Sequence, residues 1–141
     1  MKAHRMTGTA VFRVSLRIGH PSMRPEDITA GLGLEPHMTH SIGEPRKTPA
    51  GTTLERCYER SYWVCRLGEG GRFSDIVRTC NDLLISKSAF LDELVPSGGN
   101  IEYFVGCFID GNIGDELDRQ TMETCARLKI TVGLDMYGSS S

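Results

Sequence analysis

The chain has 141 residues, enough for one domain that buries about two-thirds of its unfolded surface, so its core needs no disulfide or metal staple. Its 16 Lys and Arg against 18 Asp and Glu leave a formal charge of −2. That balance offers no general attraction to nucleic-acid phosphates or to an anionic membrane, and neither partner is expected.

The basic stretch from Met1 to Gly8 has no apolar run, and no later apolar run approaches the length of a membrane span. Residues 1–8 are expected to be a flexible N-terminus, 9–138 a single domain and 139–141 a disordered tail. From Thr9 to Ile18 apolar residues alternate with Arg13, Ser15 and Arg17, the period of a half-buried strand. Pro25, followed by Glu26 and Asp27 and closed by Gly33, predicts a helix over Pro25–Leu32. The Pro- and Gly-rich stretch from His37 to Gly51 reads as loop with a short strand within 37–42, and Cys57–Leu67 as a strand ended by a turn at Gly68, Gly70 and Gly71.

Phe73, Ile76, Val77, Cys80, Leu83 and Leu84 mark one face of a helix over Phe73–Leu84, with Ser74 as its candidate N-cap, and a short helical continuation is expected over 89–95. An aromatic-rich strand is predicted over Asn100–Asp110, an amphipathic helix over Asp115–Leu128 and a last alternating strand over Ile130–Tyr137. This order gives an α+β domain with a sheet of about five strands, helices mainly on one face, and ferredoxin-like (split βαβ) topology.

Such a sheet leaves one face open. Opposite the apolar stripes it would carry Arg13, Ser15 and Arg17, then Phe104 and Phe108, then Asp135 and Tyr137. Arginine forks beside aromatic rings suit a carboxylate, a phosphate or a stacked base, and the same residue types are enriched at subunit interfaces. The aromatic run from Tyr103 to Phe108 lacks the spacing and the basic flanks of an RNA-recognition strand, so packing is its better account.

Other constellations carry less. The Gly68 to Gly71 run before a helix could bind an anion, but no Lys-Ser or Lys-Thr follows as in a phosphate loop. His37, His40 and Glu44 lie in a segment without helical character and lack a further ligand, so no metal is expected. Cys57, Cys65, Cys80, Cys107 and Cys125 form an odd set without a C-x-x-C pair, which reads as buried reduced thiols in a cytoplasm. Glu55, Glu59, Asp75 and Asp82 fall on solvated faces without acid–base spacing. No catalytic motif and no cofactor are expected.

The segment FRVSLRIGHPSMRPEDITAGLGLEP at 12–36, Gly43-Glu44, SYWVCRL at 61–67 and LDMY at 134–137, in that order, resemble a family of small bacterial proteins catalogued as a domain of unknown function, numbered 4279. One departure is Lys129, where such proteins often have a glycine between the last helix and the last strand. The resemblance implies a single bacterial cytoplasmic domain and transfers no activity.

The candidate site is therefore a polar cluster of Arg13, Arg17, Trp63, Asp135 and Tyr137, with Asp135 a candidate partner for the Trp63 N–H or for either arginine, the alternative for Trp63 being a place in the core. The leading expectation is a non-enzymatic interaction domain, an inhibitor or immunity-type protein that meets another bacterial protein or its own copy. A binder of a small anionic ligand on the open face, and an enzyme assembled without a local motif, are the alternatives.

Overall fold

The computed structural model describes residues 8–138, so all but Gly8 of the expected flexible N-terminus 1–8, and the expected tail 139–141, lie outside the described residues. Strand β1 (Thr9–His20) is followed by helix α1 (Pro25–Leu32), β2 (Met38–His40), β3 (Pro45–Lys47), β4 (Thr53–Cys57) and β5 (Ser61–Gly70). Helix α2 (Phe73–Leu84) runs through one 3₁₀ turn (Ile85–Lys87) into α3 (Ser88–Leu94). The described residues close with β6 (Asn100–Asp110), α4 (Arg119–Arg127) and β7 (Ile130–Gly138).

The main sheet has five strands in the order β2-β5-β1-β6-β7, and β3 pairs only with β4 in a separate hairpin. Central β1 is antiparallel to both β5 and β6, β2 is antiparallel to β5, and β7 is parallel to β6. Thus β1 and β2 run the same way with β5 between them, and β5 and β6 run the same way with β1 between them.

Phe12, Val14, Leu16 and Ile18 of β1 form one buried row with Trp63 and Cys65 of β5 and with Ile101, Tyr103, Val105 and Cys107 of β6. Every helix packs on this side: Ile28 and Leu32 come from α1, Val77, Cys80 and Leu84 from α2, Leu91 and Leu94 from α3, and Cys125 from α4. Contacts such as Phe12 on Phe73, with ring centroids 5.9 Å apart, tie strand to helix. Burial of this apolar area is the main favourable term for the fold.

Local chemistry differs from expectation at several ends. Helix α1 stops as expected at Gly33, which adopts φ 69°. Ser74 is not the cap of α2. Instead the Asp115 carboxylate, from the loop before α4, accepts the Phe73 N–H at 2.7 Å. Asp115 is thus outside α4, which begins four residues later with Asp118 as N-cap accepting the Thr121 N–H at 2.7 Å; that backbone hydrogen bond holds the Asp118 carboxyl below the usual carboxylate range. Lys129 takes the left-handed conformation itself, at φ 63°, so the stop before β7 is made without glycine. The strand expected over Cys57–Leu67 is two strands, because the chain turns between Cys57 and Ser61. Its second part runs on through the glycines to Gly70.

A bulge in β5 positions the open face. Ser15 lies opposite Arg66 and Val14 opposite Gly68, so Leu67 is the extra residue. Because side chains alternate faces, this one insertion turns Glu69 to the side of Tyr62, Val64 and Arg66, where it meets Arg13.

The core encloses polar groups that all have partners. His20, 2 % exposed, accepts the Ser22 and Met23 N–H groups at Nδ1, so its proton sits on Nε2 and is donated to Ser97 Oγ at 2.8 Å. The imidazole thereby joins the end of β1 to the turn after α3. Gly99 has to be glycine here, since a Cβ would stand 2.7 Å from the Leu94 carbonyl oxygen and 2.9 Å from the His20 ring. Burial, and then the Arg60 charge, push the His20 pKa below 6.5. At the other end of the scale burial pushes the Cys80 thiol from 9.0 up to about 12.

A pH window of maximal stability follows. Below pH 6.5 the unfolded chain takes up a proton at His20 that the folded chain refuses, so that contribution is complete above pH 6.5 and is lost as pH falls. Above pH 9.0 the unfolded chain releases a Cys80 proton that the folded chain retains, so stability is lost as pH rises toward about 12. Urea denaturation from pH 5 to 10 is expected to show a plateau between these limits, with each limb sloping by up to about 1.4 kcal/mol per pH unit for each group. In His20→Asn, whose Oδ1 keeps an acceptor for the two N–H groups, the acid limb should flatten; an unchanged acid limb would assign it to other groups.

Candidate functional site

The side of the sheet away from the helices is lined by Arg13, Ser15 and Arg17 of β1, Tyr62, Val64, Arg66 and Glu69 of β5, Glu102, Phe104 and Phe108 of β6, and Asp135 and Tyr137 of β7. Their placement follows from the two-residue period of each strand and from the register between strands. Of the residues expected to cluster, Arg13, Arg17, Asp135 and Tyr137 share this face. Trp63 does not. It is fully buried on the helix side, where its indole N–H donates to Thr29 Oγ1 of α1 at 2.9 Å.

Two groups of side chains can be told apart by charge. In the first, Arg13 Nε donates to Glu69 Oε1 at 2.6 Å and its guanidinium lies 4.9 Å from the Phe108 ring centroid. Phe108 stacks on Tyr137 with centroids 4.9 Å apart and planes inclined by 6°. Tyr137 donates its hydroxyl to Asp135 Oδ2 at 2.5 Å, and this hydrogen bond raises the phenol pKa. Asp135 therefore pairs with neither arginine, because Gly106 of β6 lies between it and Arg13. The ring of Phe108 fills that space, within 3.2 Å of where a Gly106 Cβ would stand. Arg13 is thus ion-paired with Glu69, and the Asp135 carboxylate is held by a neutral phenol.

In the second group, among the described residues, the arginines have no ion pair. Arg17 places its guanidinium 3.6 Å from the Phe104 ring centroid, a cation–π stack. Glu102, opposite Arg17 in register, is drawn away over Gly133: a Cβ on that glycine would stand 2.7 Å from Glu102 Oε2. Among the described residues neither Arg17 nor Arg66 has a carboxylate within ion-pair distance. His37 is close enough that, after burial, the Arg66 and Arg17 charges also lower its pKa, so the imidazole is neutral at pH 7. A cleft of about 670 Å³ opens beside Arg66 at the β5 bulge, between Arg13, Ser15 and Glu69.

Sequence reasoning missed Arg66 and Glu69. The alternation Tyr62, Val64, Arg66 against Trp63, Cys65 could have placed Arg66 on the open face, whereas Glu69 depends on a bulge that no local pattern marks. At the β2 end His40 stacks on Tyr58, with centroids 4.3 Å apart, and Tyr58 meets the edge of Tyr62. Among the described residues no three His, Cys, Asp or Glu side chains come close enough to hold a metal ion.

The glycine run beside α2 borders a cleft of about 320 Å³. Its anion-binding capacity is met from within the chain, since Asp115 holds the first N–H of α2 and Asp75 holds Arg78 at 2.6 Å and Arg72 at 3.6 Å. All five cysteines are unpaired. Cys65, Cys80, Cys107 and Cys125 are buried with raised pKa values, while Cys57, expected to be buried, is exposed. The four buried thiols stay protonated at neutral pH, which removes them as nucleophiles.

These features define a class: a small α+β domain whose helices cover one face of a five-stranded sheet and whose other face carries paired and unpaired arginines among aromatic rings. Residues 9–139 match the family described as a domain of unknown function, DUF4279, and the chain belongs to it. No curated protein and no solved structure matches. Among the described residues no helix is long and apolar enough to cross a membrane.

Proposed function

We propose that this domain is a non-enzymatic interaction protein of the bacterial cytoplasm, whose open sheet face receives a partner protein that presents a carboxylate side chain beside apolar ones. One observation carries the reading: among the described residues Arg17, stacked on Phe104, and Arg66 stand exposed without a carboxylate at ion-pair distance, whereas Arg13 on the same face is paired with Glu69 and Asp135 is hydrogen-bonded by Tyr137. Charge complementarity and exposed aromatic surface are what protein partners exploit. The half-exposed Tyr137 and Tyr62, with Phe108 at 38 %, extend the apolar part of such a surface.

The fold is read as ferredoxin-like, a split βαβ arrangement with the β3–β4 hairpin inserted and α4–β7 appended. The interleaving of β1 with β5, β2 and β6 supports this. Five unpaired cysteines support a reducing compartment.

The test starts from proteins retained by the wild-type chain but lost by the Arg17→Glu/Arg66→Glu variant, followed by calorimetry with the purified partner. Arg17→Ala and Arg66→Ala are each expected to weaken binding about tenfold or more, equivalent to about 1.4 kcal/mol, without lowering the melting temperature. A partner bound equally well by the charge-reversed variant would overturn the reading. If instead phosphate or a dicarboxylate raises the melting temperature of the wild type and not of the variant, the face serves a small anion.

A further inference from the structure

The edges of the main sheet are unequal. At one side β2 is only three residues long. At the other, β7 presents nine residues in unbroken register with β6, and among the described residues no strand pairs with its outer edge. Exposed edges of this length are ordinarily blunted by lysine, proline or a bulge, because their free N–H and C=O groups template pairing with another chain. The β7 sequence, Ile-Thr-Val-Gly-Leu-Asp-Met-Tyr-Gly, contains none of these.

Apolar surface lies along the same edge. Leu134 is 54 % exposed and Met136 63 % exposed, both on the helix side of the sheet, past the Ile130 end of β7 that the core covers. Together they leave an apolar strip along this edge that the described chain does not cover.

We propose that β7 is a homodimerisation edge, at which two copies pair their β7 strands antiparallel about a two-fold axis through Leu134 and join their five-stranded sheets into one. Leu134 is the midpoint of the strand, so this register pairs all nine residues. Self-pairing places Leu134 opposite Leu134 and Met136 opposite Val132 on the helix side, which gives apolar partners throughout. On the other side Asp135, the sole charged residue of the strand, faces Gly133, and Tyr137 faces Thr131. Centring the axis on Asp135 would oppose two carboxylates, which disfavours that slip.

Light scattering on the full chain at roughly 100 μM is expected to give twice the chain mass, falling to the monomer mass on dilution. Leu134→Lys/Met136→Lys should give the monomer mass at every concentration with an unchanged circular dichroism spectrum. The register has its own readout in a Cys57→Ser background. Leu134→Cys should cross-link rapidly under mild oxidation, because residues directly opposite in an antiparallel pair have Cα atoms about 4.5–5.5 Å apart, within disulfide reach. Met136→Cys faces Val132 and should cross-link far more slowly. A wild-type monomer at high concentration, a dimer that survives the two lysines, or faster cross-linking at 136 than at 134 would each overturn the proposal.

Discussion

Trp63→Ala is expected to destabilise the fold by about 3–5 kcal/mol, the cost of emptying a fully enclosed aromatic site. Trp63 sits on β5 among residues that α1 covers, so its removal takes away apolar contact with both elements, and the surrounding strands cannot collapse into the gap. The indole also carries the hydrogen bond to Thr29 Oγ1. Thr29→Val keeps the volume and leaves the indole N–H without an acceptor, with an expected loss of about 1–3 kcal/mol. Urea denaturation of both variants checks this. A loss below about 1 kcal/mol for Trp63→Ala would contradict an enclosed position and return Trp63 to the open face.

The second large effect concerns a polar cluster inside the core. Tyr103, fully buried on β6, donates its hydroxyl to Asn81 Oδ1 at 2.8 Å, and Asn81 Nδ2 reaches back from α2 to the Thr121 carbonyl of α4 at 3.3 Å. One amide thus joins the sheet to two helices. Asn81→Leu leaves the phenol buried without its acceptor and is expected to cost about 1–3 kcal/mol. Tyr103→Phe alone removes the donor and leaves Asn81 Oδ1 short of a partner, except for the weak Cys125 thiol at 3.6 Å. The double variant removes both ends. It should therefore be more stable than the sum of the single losses predicts, by at least about 0.5 kcal/mol, because contacting residues are not additive. Simple additivity would show that this hydrogen bond contributes nothing to holding α2 on the sheet. Burial also raises the Tyr103 phenol above its ordinary 10.0, so its ultraviolet ionisation signal should appear only as the chain unfolds in alkali.

Much of the helix side was legible along the chain because local rules set it. The alternation in β1, the Pro25 start and Gly33 stop of α1, the apolar stripe of α2 and the aromatic run of β6 each express a period or a backbone preference that neighbouring residues determine together. The open face was partly legible for the same reason: Arg13, Arg17, Phe104, Phe108, Asp135 and Tyr137 follow from parity along single strands.

What parity could not supply was pairing. Whether Trp63 or its neighbours faced the helices was open until β5 was set beside β1 and under α1, where burying the indole and satisfying its N–H agree. Asp115 displaced Ser74 as the cap of α2 because a loop more than 40 residues away brings a carboxylate to that helix start. Gly133 is read only with Glu102 over it, and Arg66 is seen as uncompensated only once Leu67 bulges and Glu69 turns to Arg13. Sequence by itself determined the elements and the apolar stripe that buries them, since both depend on periodicity over a few residues. Tertiary structure alone decided which charges on the open face are matched and which edge is left bare, because those depend on register between strands distant in the chain.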